Sequence, residues 1–209
     1  MDVRGNETKT YTTVKIGTQY WMAENLRATN YADGSAIIQL TSSDADLTAW
    51  KNNTTGACHL PGDDKQTTDV FGIFYNGYAV TNEAGLAPEG WEVPSIAQWN
   101  TMKTATNKKP AYIKATAGWP TGNDGTDQSG FSAIPTGYFS NVDGESSTVL
   151  TETWWWTSTS IYDTLSKANV LGYARVTATG ASWPITTESL ANGHLLTFGH
   201  VVRCVRKAK

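Results

Sequence analysis

The chain is short of charge, histidine, cysteine and long apolar runs, and each shortage removes a class of function. Only 17% of its 209 residues are charged, against about 25% in ordinary soluble domains. Sixteen Lys and Arg against 19 Asp and Glu leave a net charge of -3. The cations are scattered, so the basic footprint that nucleic acid or an anionic membrane surface requires is missing. No apolar run approaches the ~18 residues of a membrane-spanning helix, and residues 1–10, MDVRGNETKT, lack the apolar centre of a secretory signal. The expectations are no membrane insertion of the mature domain, a polar N-terminal tail over 1–10, and a single domain over 11–209. A chain of that length buries a substantial core without a metal or many disulfides.

Catalytic signatures are also scarce. His59, His194 and His200 are the only histidines, and none stands in an H-E-x-x-H or comparable spacing. Cys58 and Cys204 form no C-x-x-C pair, and no G-x-S-x-G elbow is present to raise a serine nucleophile. The chain is therefore expected not to be an enzyme and to carry no cofactor. Two stretches offer the hard oxygen ligands that calcium prefers: PGDDKQTTD with Asp63, Asp64 and Asp69, and GNDGTDQSG with Asn123, Asp124 and Asp127. Neither has EF-hand spacing, and such side chains in Gly-rich turns ordinarily bond their own backbone. No metal site is assigned.

Aromatics and glycine are abundant, with 9 Trp and 19 Gly. In TYTTVKIGTQYWMAENL, Val14 and Ile16 precede Gly17-Thr18, and Tyr20 to Met22 follow, which predicts two strands joined by a type II′ turn. Residues 28–66 are rich in Asn, Asp, Thr, Ser and Gly and are expected to be a long loop anchored by Ile37, Ile38, Leu40, Leu47 and Trp50. FGIFYNGYAV, residues 71–80, is expected to be a strand running into a short helix. Pro94 ends an extended segment, and Ser95 with Gln98 forms a capping box that opens a second helix carrying Ile96, Trp99 and Met102 on one side. ETWWWTSTS and GYARVTATG predict two aromatic and β-branched strands separated by a polar loop around residues 162–167. In the closing GHVVRCVRK, Val201, Arg203 and Val205 face one side of a strand, and Val202, Cys204 and Arg206 the other.

In chain order, TVKIGTQYWMAENL, FGIFYNGYAV, GWEVPSIAQWNTM, SGFSAIPTGYF, WWTSTS and VVRCVRK resemble the Fibrobacter succinogenes major paralogous domain of bacterial surface lipoproteins. That resemblance implies an α+β, C-type-lectin-like fold, akin to the sulfatase-modifying enzymes: a twisted, mainly antiparallel sheet, two short helices and long ordered loops. It places Trp21, Asn25, Gly90, Trp91, Pro94, Trp99, Phe131, Pro135 and Gly137 at scaffold positions. Trp91 and Trp99 are expected to wedge their helix against the sheet. The family's surface address implies an extracellular location with a targeting segment preceding Met1, and a disulfide between Cys58 and Cys204 at positions where family members similarly carry Cys.

Two functions follow as expectations. The first is a cell-surface recognition module that binds glycan or protein through aromatics in polar loops, with Trp50, Tyr162 and Trp183 as the ligand-binding candidates because they lie outside the family motifs. The alternative is a structural component of a surface assembly such as a pilus tip or lipoprotein complex. An enzyme related to the sulfatase-modifying factors ranks third, because the reactive cysteine pair that chemistry uses is missing.

Overall fold

Gly17 and Thr18 set the first register of the domain. Gly17 alone of the pair takes a left-handed φ, +58°, as a type II′ turn requires. In the computed structural model the described residues are 1–4, 7–140, 146–147, 150–163, 167–180, 184–186 and 196–208, with backbone alone for 146–147, 168 and 185–186.

The chain opens with β1 (Asp2–Arg4) and β2 (Glu7–Lys9), an antiparallel hairpin. This corrects the expectation of a polar tail. Arg4 is buried, donates Nε to Asp2 Oδ1 at 2.7 Å, and sends Nη1 to the carbonyls of Asn30 and Leu86, so contacts with distant backbone fasten the hairpin. Strands β3 (Thr13–Ile16) and β4 (Gln19–Met22) flank the Gly17 turn as expected.

Residues 28–66 are not the continuous loop that composition suggested. They hold β5 (Ile38–Gln39), helix α1 (Asp44–Asn52) and β6 (Ala57–His59). Ser43 caps α1 by accepting from Asp46 N, and Asp44 and Asp46 lie at the positive end of the helix. Helix α2 (Lys65–Phe71) starts at the Asp64 cap, and β7 (Phe74–Asn76) runs into α3 (Gly77–Val80) as the aromatic stretch predicted. Helix α4 (Ile96–Ala105) carries both halves of the Ser95–Gln98 capping box. The described residues thus hold four α-helices rather than two. Composition hid α1 and α2, because each is short and buries a single residue, Trp50 and Thr68 respectively.

The later strands are β8 (Tyr138–Phe139), β9 (Ser146–Ser147), β10 (Glu152–Asp163), β11 (Ala168–Thr177), β12 (Ile185–Thr186), β13 (Gly199–His200) and β14 (Val205–Lys207). They complete three sheets, ordered β14-β4-β3, β10-β11-β12 and β5-β6-β7-β13-β8-β9, beside the β1-β2 hairpin. Among the named strands of the described residues only β5 and β6 pair in parallel, and isolated parallel bridges join Lys114 to Ala133, Gly137 to Thr153 and Trp155 to Val201. The architecture is α+β and mainly antiparallel, distributed over several small sheets rather than one.

Two aromatic-rich cores share the central strands. Trp21, Ala57, Phe74, Trp155, Val201 and Val205 enter one core; their neighbours Met22, Cys58, Tyr75, Trp156, Val202 and Cys204 enter the other. Strict alternation follows from the period of two along a strand, and both faces are apolar because both are covered. In the first core, the Trp99 ring of α4 lies 4.7 Å from Trp21 and 5.3 Å from Trp155 between centroids. Trp91 differs from expectation: it is half-buried, with the Arg206 guanidinium 5.0 Å above its ring.

A bulge in β10 ties this core together. Trp156 pairs with Tyr173 and Ser160 with Leu171, so Thr157, Ser158 and Thr159 face Gly172 alone. The extra residues turn toward the start of α4: Ser158 N donates to the Pro94 carbonyl at 2.9 Å, and Thr159 Oγ1 accepts from Ile96 N at 3.0 Å. The Pro94-Ser95 junction is therefore clamped from both sides.

Candidate functional site

The structure separates the three candidate aromatics. Trp50 is 1% exposed, packs edge-on against Phe139 at 4.9 Å and donates Nε1 to the Thr197 carbonyl at 2.7 Å. It is a core residue and offers no face to a ligand, because α1 turns it inward one helical step beyond Leu47. Tyr162 is 63% exposed, near the end of the β10-β11 hairpin opposite Asn169. Trp183 lies outside the described residues.

The expected disulfide is also corrected. Cys58 and Cys204 are free, buried thiols. Cys58 faces Tyr75 across β6 and β7, while Cys204 sits where its carbonyl accepts from Met22 N. Burial pushes each thiol up to about 12, which keeps it protonated and inert.

The acidic turns satisfy backbone, as their composition suggested. Asp64 caps α2, Asp63 accepts from Ser42 N, Asp124 from Trp119 N and Asp127 from Ser132 N. Among the described residues no three His, Cys, Asp or Glu side chains converge as a metal site would need.

A capacious concavity lies elsewhere among the described residues. A groove of about 650 Å³ is lined by Pro120, Asn123, Thr151, Glu152, Arg175, Thr177, Ala178 and Thr179, within the usual range of roughly 300–1,000 Å³ for ligand sites. Two other surface clefts hold about 360 and 330 Å³.

One wall comes from the β10-β11 register. Glu152 stands opposite Thr177 and Trp154 opposite Arg175, so Glu152 and Arg175 are diagonal neighbours on one face. The Arg175 Nε and Nη2 atoms each lie 2.5 Å from Glu152 Oε2, and the guanidinium carbon lies 4.6 Å from the centre of the Trp154 ring. The guanidinium is thus held between a carboxylate and an indole face, a geometry that suits its planar fork. No hydrogen bond to Glu152 Oε1 or to Arg175 Nη1 occurs among the described residues.

The facing wall is the Gly-rich turn that carries Trp119, Pro120 and Asn123. Gly125 lets it pack down, since a Cβ there would lie 2.0 Å from the Lys114 carbonyl oxygen. Trp119 donates Nε1 to the Ala133 carbonyl at 2.9 Å, which fixes the indole beneath the turn.

Lys114 joins the two walls. Its ammonium lies 4.4 Å from the Trp119 ring centre and donates to the Ala178 carbonyl at 3.0 Å. Burial lowers its pKa, with the Asp124 carboxylate acting against that shift. A third tie, Ala178 N to the Thr151 carbonyl at 2.7 Å, closes the end of the hairpin. The groove is preorganised, because its walls are fastened by contacts made without a ligand.

Sequence reasoning missed Glu152, Arg175 and Lys114 and considered Asn123 only as a metal ligand. The available signal was the hairpin itself: pairing ETWWW with GYARV through a short polar loop brings Glu152 within two positions of Arg175.

An α+β domain with a preformed, ligand-sized groove of mixed polar and apolar lining on a long hairpin is the class these features define. The chain belongs to the Fibrobacter succinogenes major domain family, which it matches over residues 14–206. The match includes every residue of the groove and leaves out the β1-β2 hairpin. No curated protein and no solved structure matches the chain.

Proposed function

We propose that this chain is a non-enzymatic, extracellular recognition module of C-type-lectin-like fold that binds carbohydrate in the Glu152–Arg175 groove. The single observation that carries this reading is the Glu152–Arg175 pair, buried on one side and open on the other, in a groove whose walls Lys114 fastens to each other. The ring of Pro120 and the methyl groups of Ala178 and the threonines supply apolar surface. Asn123, Glu152 and Arg175 supply planar polar groups. Sugars present that same mixture of apolar ring faces and hydroxyl edges.

The test is a screen of the purified protein on a glycan array, followed by titration of any ligand found into Arg175→Ala and Tyr162→Ala. Binding that Arg175→Ala abolishes and Tyr162→Ala spares supports the groove. The reverse pattern moves recognition to the hairpin end.

The second reading, a structural unit of a surface assembly, rests on the adjacent exposed side chains Ile161 and Tyr162 at that hairpin end. A surface used for assembly would make Ile161→Asp/Tyr162→Asp shift the sedimentation of a self-associated form.

A further inference from the structure

Resting on the reading of the groove as a carbohydrate site, we infer that it selects uncharged, hydroxyl-presenting saccharides and rejects acidic ones, because the Arg175 guanidinium and the Glu152 carboxylate that line it are already paired with each other. The two charges that line the groove are paired with each other, Arg175 through Nε and Nη2 to Oε2 of Glu152. Behind the facing wall, Lys114 lies within electrostatic reach of Asp124. Among the described residues that line the groove, the one cation, Arg175, has the Glu152 carboxylate beside it.

Charge complementarity therefore favours a neutral ligand. A sulfate or uronate could accept from Nη1 but would bring its negative charge against the Glu152 carboxylate. An ammonium would meet Arg175 in the same way. A hydroxyl escapes both conflicts, because it donates through its hydrogen and accepts through its lone pairs. It can accept from the guanidinium or donate to the carboxylate without adding a charge to the pair. Glu152 is only 5% exposed, so its carboxylate is held in a partly desolvated setting, where an uncompensated like charge is costly.

Calorimetric titration with neutral hexose and pentose oligosaccharides, and with sulfated and uronic-acid oligosaccharides, at low and high salt tests this inference. Neutral ligands should bind with little salt dependence, and acidic ones at least about tenfold more weakly, the factor that one lost charge-assisted hydrogen bond represents. Glu152→Gln should weaken neutral binding by about tenfold and relax the rejection of acidic sugars. Asn123→Ala leaves the ion pair intact, so it serves as a groove variant if Glu152→Gln does not fold; it should weaken neutral binding and keep the rejection. Tighter binding of acidic oligosaccharides that fades with salt would overturn the selectivity while leaving the groove a carbohydrate site. Binding of neither class, or binding that neither variant alters, would overturn the carbohydrate reading itself.

Discussion

Trp155 donates its indole Nε1 to the side-chain Oδ1 of Asn25 at 3.0 Å, across 130 residues of chain. Arg203 Nε donates to the same oxygen at 3.0 Å, and the Asn25 amide nitrogen donates to the Phe71 carbonyl at 2.8 Å. Arg203 is 1% exposed; its guanidinium also reaches the Phe131 carbonyl and lies 4.3 Å from the centre of that ring. Burial brings its pKa down to about 9. One amide thus organises a buried cation and an indole.

Asn25→Ala should be among the most damaging single changes in the domain. It removes the acceptor of two buried donors, one of them charged, at an expected cost of about 3 kcal/mol or more. Urea unfolding should show a lower midpoint with an unchanged slope. A loss under 1 kcal/mol would mean that the hub is dispensable.

Acid should weaken the fold through His59. Its ring is buried, stacked on Phe139 at 4.1 Å, with Nδ1 3.0 Å from the Leu40 carbonyl. Desolvation lowers its pKa despite the Leu40 carbonyl and the Asp63 carboxylate, which act in the opposite direction. Below the unfolded value of about 6.5 the unfolded chain binds a proton that the folded chain resists. Stability is then full above that pH and declines as pH falls toward the lower folded value. Melting temperatures from pH 7 to 5 should fall less steeply in His59→Phe than in the wild type, and equal slopes would assign the acid response to other groups.

The two thiols should be silent in the native protein. With both raised to about 12 and buried, Cys58 and Cys204 should resist a disulfide-exchange reagent near pH 8. Both should react on unfolding in guanidinium without reductant. A protein that shows no thiol after unfolding would instead carry the bridge that family resemblance suggests.

Thr159→Val should cost about 1 kcal/mol, comparable to Ser95→Ala. Each change removes an oxygen that satisfies a first-turn N–H of α4, Ile96 N for Thr159 and Gln98 N for Ser95. Amide exchange at Ile96 should quicken in Thr159→Val. Unchanged exchange there would show that the bulge does not cap the helix.

Trp50→Ala should behave as a core truncation, losing about 3–5 kcal/mol, whereas Tyr162→Ala should stay within about 0.5 kcal/mol. Thermal unfolding of the two variants distinguishes a buried anchor from a surface aromatic.

The features legible in the sequence obey local rules. Gly17 supplies the left-handed turn between β3 and β4, Ser95 and Gln98 each accept from the other's backbone N–H, and residues 201–205 alternate between two cores. Each is fixed by dihedral preference, short-range hydrogen bonding or strand periodicity. Helix α1 was partly legible, since Ser43 followed by Asp46 is a helix-start pattern and Leu47 and Trp50 are spaced by three. The polar surroundings of Trp50 concealed that it points inward.

What only the tertiary structure decided depends on contacts between distant residues. The N-terminal hairpin is held by Arg4 on a carbonyl 82 residues away, and Lys114 spans 64 residues to fasten the groove. Glu152 and Arg175 meet because a hairpin register, shifted by its bulge, sets them diagonally on one face. Composition shows that these charges exist, and periodicity shows which strands carry them. Their pairing comes from register and packing, because a side chain's partner depends on which backbone the fold brings beside it.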